Sequence, residues 1–165
     1  MPEPATLGRV EQVNVNPLGG VPKYPVPVAR ITADGVAGDK QRDRRFHGGP
    51  ERAVSLFARE RIEALRAEGH PIAPGSTGEN LTVSGLDWSA LQPGDLLRVG
   101  EWVELAITGY AAPCSNIAAS FADGAFKRMS QKLHPGWSRL YARVLAEGEV
   151  RPGDLVEHLP GAAHL

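Results

Sequence analysis

Glycine and proline cut this chain into short pieces, and that constrains its fold more than any other feature. The 165 residues hold 19 glycines and 14 prolines, spread along the whole length rather than gathered in a tail. Between them lie short runs with β-branched residues and partial period-2 alternation: LGRVEQVNV, VPVARI, NLTV, LLRV, WVELAIT, LYARVL and DLVEHL. Many short strands with few helices predict a mainly β domain, a closed or partly open β-barrel with a few peripheral α-helices. Pro25 and Pro27 push VPVARI toward an edge or a bulge, because proline has no N–H to give to a ladder. Pro-Gly-Asp-Leu occurs at 93–96 and again at 152–155. Turn chemistry alone accounts for the phrase, with glycine taking the positive φ of a type II turn.

Two segments break the β pattern. In ERAVSLFARERIEALRAE, residues 51–68, Val54, Phe57, Ala58, Ile62 and Leu65 fall on one face at helical spacing, which predicts a helix on the outside of the barrel. Gly69 and Pro71 would end it. A shorter helix is expected over 123–134, with Phe126, Met129 and Leu133 on a shared face and Pro135-Gly136 as its stop. Between the strands and the first helix, DGVAGDKQRDRRFHGGPE reads as a long functional loop.

A chain of this length fits one domain, 1–165, with its core over about 8–158. The formal charge is −1, from 18 basic and 19 acidic residues, which argues against nonspecific nucleic-acid binding. No apolar run approaches the roughly 20 residues of a membrane span. The first ten residues show neither a basic start nor an apolar stretch, so no secretory signal is expected. A single cysteine permits no intrachain disulfide, in keeping with a reducing compartment. A cytoplasmic protein is the expectation.

Standard signatures are missing. There is no Walker loop and no G-x-G-x-x-G, and PGSTGEN lacks the spacing of a nucleophile elbow. The five histidines show no paired zinc spacing. Three features remain. The sole cysteine, Cys114, follows Pro113 where a strand should turn. A cationic loop carries Lys40, Arg42, Arg44, Arg45 and His47, then Gly48-Gly49 and Arg52. It reads either as a solvated charged loop or as an anion clamp, where guanidinium forks and glycine amides meet a phosphate. Gly78-Glu79-Asn80 enters a strand from a glycine-rich turn, and is either an ordinary turn or part of a ligand pocket.

Taken in order, these pieces resemble the MOSC family, the domain that forms the C-terminal part of molybdenum cofactor sulfurases. The matching residues are Gly19-Gly20-Val21-Pro22-Lys23, Gly35-x-x-Gly38-Asp39, His47-Gly48-Gly49, Arg52-Ala53-Val54, Gly75-x-x-Gly78-Glu79-Asn80-Leu81-Thr82-Val83, Gly94-Asp95 and Pro113-Cys114. They span about residues 8–158. Some members carry a basic residue just before the proline, where this chain has Ala111 and Ala112.

The resemblance implies a β-barrel-like fold and molybdenum cofactor (molybdopterin) as ligand, with Cys114 as the catalytic or metal-ligating thiolate. Thiolate is a soft ligand, suited to a soft metal or to carrying sulfur as a persulfide. Cofactor-binding candidates are Lys23, Arg45, His47, Gly48, Gly49, Arg52, Gly78, Glu79, Asn80 and Asn116, expected around one pocket. Two mechanisms follow: Cys114 passes persulfide sulfur to a metal centre, or it ligates molybdenum that reduces N-hydroxylated substrates. An electron-donor protein or a cysteine desulfurase is the implied partner. Pyridoxal phosphate would sit only on that separate desulfurase. The alternative from another class is a noncatalytic small-ligand or partner-binding barrel in which Cys114 is incidental.

Overall fold

The structure, a computed structural model, describes residues 6–40 and 49–161. In chain order its elements are β1 (Thr6–Val15), β2 (Tyr24–Val26), β3 (Ala29–Thr32), β4 (Gly35–Val36), β5 (Val54–Ala58), α1 (Arg59–Ala67), β6 (Leu81–Ser84), β7 (Leu96–Val99), β8 (Val103–Ala111), β9 (Arg139–Ala146), β10 (Gly148–Val150) and β11 (Leu155–Leu159). Seven of these strands form a closed ring in the order β1-β6-β5-β9-β8-β7-β11, which returns to β1. Thr6 pairs with His158 where the ring closes. Every neighbour pair in the ring is antiparallel except β5–β6, which is parallel.

Alternation sends one face of most strands into the barrel. In β7, Leu97 and Val99 are fully buried while Leu96 and Arg98 face outward. The interior is filled by Val10, Leu56, Leu81, Val83, Leu105, Ile107, Leu140 and Val156, among others. The repeated Pro-Gly-Asp-Leu phrase makes the same turn twice: Asp95 N–H donates to Gln92 O (3.0 Å) and Asp154 N–H to Arg151 O (3.1 Å). Gly94 and Gly153, with φ of 96° and 94°, occupy the left-handed position in each.

Three expectations are corrected. The segment 51–68 is not one helix. Pro50–Arg52 is a single 3-10 turn, Val54–Ala58 is a strand, and α1 begins only at Arg59. All five residues of β5 are buried, because both of its faces are covered. A strand covered on both faces carries an unbroken apolar run, and such a run has no period of its own to set against a helical one. Beyond β5 the helical reading holds: Ile62 and Leu65 are buried, and α1 packs on β5 and β6. It ends as Gly69 suggests, with Gly69 N–H donating to Arg66 O and His70 N–H to Leu65 O.

The second expected helix, 123–134, is replaced by 3-10 turns at Ala122–Gly124 and Phe126–Met129. Asp123 and Gly124 have φ of 56° and 66°, a left-handed pair that no α-helix accommodates. Met129 is buried as its apolar character requires, but Leu133 is exposed. Among the described residues α1 is the lone α-helix, and the remaining helical segments are 3-10 turns. Finally, VPVARI is split at Pro27. Its first part is β2, an edge strand on β1, and its second is β3, which joins β4 and β10 in a separate three-stranded sheet. No helix of the described residues is long and apolar enough to cross a membrane.

Candidate active site

Three segments meet at one end of the barrel. The first is the exit of β8. After Ala111 the chain runs extended through Ala112 and Pro113 to Cys114, whose φ of −138° and ψ of 176° continue the strand direction. The chain then tightens into a 3-10 turn, Ser115–Ser120, fixed by Ile117 N–H donating to Cys114 O at 3.1 Å. Cys114 is a free, half-buried thiol held at the junction of two rigid pieces.

The second segment is the Gly75–Asn80 turn before β6. Lys23 N–H donates to Gly75 O at 2.8 Å, which brings the Gly20–Lys23 loop against this turn. A Cβ on Gly75 would strike Lys23 O, and one on Gly78 (φ 88°) would lie 2.6 Å from Val21 Cγ1, so neither position admits a side chain. Glu79 points beneath the turn. Its carboxylate accepts hydrogen bonds from Gly75 N–H (2.9 Å), Thr77 Oγ1 (3.1 Å) and Thr82 Oγ1 (2.8 Å). Burial raises its pKa above the ordinary carboxyl value, against the pull of those bonds. Asn80 ties three elements together. Its Oδ1 accepts from Ser55 N–H, and its Nδ2 donates to Asn14 O and to Asp39 Oδ2. Asp39 in turn accepts from Asn16 N–H and pairs with Lys23 Nζ at 2.6 Å.

The third segment is the start of β9. Arg139 and Tyr141 lie on one face of that strand, two residues apart. Arg139 is only 9% exposed, and its Nη1 donates to Thr77 O at 2.6 Å. Its Nε has no hydrogen-bond partner among the described residues. Burial lowers its pKa, while Tyr141, Glu79 and Cys114 favour the charged form. The guanidinium of Arg52 sits 5.3 Å from the centre of the Tyr141 ring.

These segments enclose a cavity of about 90 Å3. Its lining includes Lys23, Lys40, Arg52, Arg139, Cys114, Asn116, Ser55, Thr77, Gly78, Asn80 and Tyr141, and no carboxylate stands among its described lining residues. Of the sequence candidates, Lys23, Arg52, Gly78, Asn80, Cys114 and Asn116 come together here. Glu79 supports the wall from below and does not line the cavity. Gly49 precedes the Pro50–Arg52 turn and is not a lining residue either. Arg45, His47 and Gly48 lie outside the described residues. Lys40, from the cationic loop, lines the cavity too, whereas sequence reasoning missed Arg139, Tyr141, Thr77 and Ser55. The signal for two of them was there: in RLYARV, Arg139, Tyr141 and Arg143 share one face by period 2, a pattern that reads by default as a solvated face.

The MOSC domain family matches the chain over residues 43–157. The chain belongs to the MOSC domain family. Among its relatives, the Bacillus subtilis protein YflK is 34% identical over 143 residues, covering 85% of this chain and 63% of the relative. A Gibberella moniliformis protein named Reductase is 31% identical over 133 residues, covering 78% of this chain and 23% of the relative. The Escherichia coli protein YiiM is 29% identical over 139 residues, covering 76% and 60%. The chain thus spans less than two thirds of each of these curated relatives. The fold is shared with the crystal structure of YiiM from Geobacillus stearothermophilus (TM-score 0.68, 23% identity, 91% of this chain and 74% of that one). It is shared also with that of the YUAD protein from Bacillus subtilis (TM-score 0.70, 19% identity, 94% and 97%). The MOSC family is associated with molybdenum cofactor binding and reductase-like function.

The residues present fit such a group. Its phosphate and dithiolene are anionic, and the cavity offers cations, one soft sulfur ligand and no carboxylate among its described lining residues. Among the described residues, no cluster of three His, Cys, Asp or Glu side chains could cage a metal ion by itself. A metal at Cys114 would therefore take its remaining ligands from elsewhere.

Proposed function

We propose that this MOSC protein binds the molybdenum cofactor in the cavity beside Cys114 and reduces N-hydroxylated substrates there. The observation that carries the reading is the lining: Lys23, Lys40, Arg52 and Arg139 surround the chain's sole thiol with no acidic residue among them. Bound, the cofactor supplies a two-electron redox centre. Cys114 provides the protein's sulfur ligand, and the extended backbone before it and the 3-10 turn after it hold that sulfur in place. Arg52 and Lys40 give charge-assisted hydrogen bonds to the cofactor's phosphate. Asn80 and Asp39 keep Lys23 and the turn at Gly78 in register with β5, so the walls do not drift apart. In the overall reaction the N–OH oxygen leaves as water, with two electrons from a separate donor protein and two protons.

Reduction is favoured over persulfide transfer because Cys114 is half-buried within a walled cavity. A sulfur carrier has to present its sulfur to a donor protein and then to an acceptor.

The test is protein made in a cofactor-competent host, analysed for molybdenum and for fluorescence of oxidised pterin, then assayed on an N-hydroxylated base. Wild type is expected to carry pterin and to turn over. Cys114→Ser should lose turnover by more than about 100-fold while keeping much of the pterin, since a hydroxyl is a poor soft-metal ligand. Arg52→Gln should weaken retention by one to two decades, from ~1.5–3 kcal/mol of lost charge-assisted contact. Wild type without pterin, or a serine variant with full activity, favours the noncatalytic barrel instead.

A further inference from the structure

Among the described residues that line this cavity, Arg139 is the one with a buried side-chain nitrogen that lacks a hydrogen-bond partner. It is nine-tenths buried, it makes a single hydrogen bond, to the Thr77 carbonyl, and its Nε N–H meets nothing among the described residues. Lys23, by contrast, has Asp39 at 2.6 Å. An ordinary structural arginine at this depth would face a carboxylate, because a buried guanidinium without a counter-charge is costly. Glu79 favours the arginine's charge from a distance but makes no ion pair with it, and its oxygens accept from Gly75, Thr77 and Thr82. Burial disfavours the charged form of both groups, lowering the pKa of Arg139 and raising that of Glu79. A counter-charge can reach the guanidinium from the cavity that Arg139 lines together with Cys114.

We propose that Arg139 forms an anion subsite within the cavity, which holds a negatively charged oxygen beside the Cys114 sulfur. The ligand class is an oxyanion, or the anionic oxygen of a larger ligand. The subsite deepens the reading above, since a charged oxygen fixed by Arg139 orients the substrate toward the sulfur-bound centre. Arg139 is brought in by β9, not by the segment that carries the thiol. It therefore supplies a cation that Ala111 and Ala112, the residues just before Pro113, do not.

The experiment uses the full chain prepared without cofactor, with inorganic sulfate as the probe. Alkylation of Cys114 by iodoacetamide is followed by mass spectrometry at fixed pH and ionic strength, and the single thiol makes the readout unambiguous. Sulfate is expected to slow alkylation at least 5-fold with a saturable midpoint, while chloride at equal ionic strength does not. Arg139→Gln should abolish the protection. Arg139→Lys, which keeps the charge but loses the planar fork, should raise the midpoint about 10-fold. Lys40→Gln should move it less than 3-fold. No saturable protection in wild type overturns the proposal, and so does equal protection in Arg139→Gln, which would assign the anion to the other cations. If the glutamine variant does not fold, an unchanged midpoint in Arg139→Lys overturns it. If neither variant folds, wild type decides: sulfate-specific saturable protection supports the subsite and its absence overturns it. Because no cofactor is present, failure here is separate from failure of the cofactor reading, which is scored by copurified pterin.

Discussion

Glu79 and Arg139 are both buried charges at the same end of the barrel, and the fold treats them oppositely. Every hydrogen bond that Glu79 needs is met within the Gly75–Thr82 segment, by one backbone N–H and two hydroxyls. Arg139 receives one carbonyl and is left with an idle N–H. A buried group whose bonding is closed by its own loop serves the architecture. Arg139 instead lines a cavity with no carboxylate among its described lining residues. The comparison explains why the Glu79 of a Gly-Glu-Asn motif turns out to be a brace, whereas an arginine outside any motif faces the ligand space.

The largest effect that would break this contrast is on stability. Glu79→Ala should destabilise the chain by about 3–5 kcal/mol, since it strands a buried N–H and two hydroxyls. Arg139→Met should change stability by less than about 1.5 kcal/mol, because it removes a poorly compensated charge along with one hydrogen bond. Urea unfolding of the two variants checks this, and equal losses would erase the distinction.

A second test uses pH. Burial raises the folded-state pKa of Glu79, so the folded chain binds more protons than the unfolded one above the ordinary carboxyl value. Its contribution is fully present below that value and is lost as pH rises through the folded-state pKa. Within that window stability should fall with pH by up to about 1.4 kcal/mol per unit. Glu79→Gln should remove that slope; if the variant keeps it, another group is responsible.

The smallest effect comes from a charge outside the comparison. Glu68 is exposed, and its pKa is lowered chiefly by the hydrogen bonds from Arg128 at 3.0 and 2.8 Å. Water screens this pair, so Glu68→Gln should cost less than about 1 kcal/mol in thermal or urea melts.

How far the sequence revealed this arrangement depended on how local each cause was. Cys114 after Pro113 and the two Pro-Gly turns were legible because their neighbours in the chain decide their shape. So was β7, with its clean alternation of Leu97 and Val99 inward against Leu96 and Arg98 outward. β5 was misread because burial on both faces hides the period. The helix expected over 123–134 failed on the left-handed pair Asp123-Gly124. Arg139 was invisible as a site residue for a different reason: its carbonyl partner, Thr77, is 62 residues away. No window along the chain contains both. The role of Glu79 was hidden more subtly, since its partners are close in sequence but the direction of its side chain is set by how the turn packs on Lys23 and Asn14.

The pairing of β1 with β11 carries a consequence for synthesis. Thr6 lies opposite His158, so the seam that turns the sheet into a ring joins the first described strand to the last. Until β11 leaves the ribosome, β1 can pair with β6 and β2, but the stretch reserved for β11 stays an open edge. While the residues between the two strands are being made the sheet stays unclosed, the state most prone to pairing with a neighbouring copy. Contacts this far apart in sequence also slow folding after release. The barrel is thus sealed late, and its solubility during synthesis rests on how quickly the final strand finds the first.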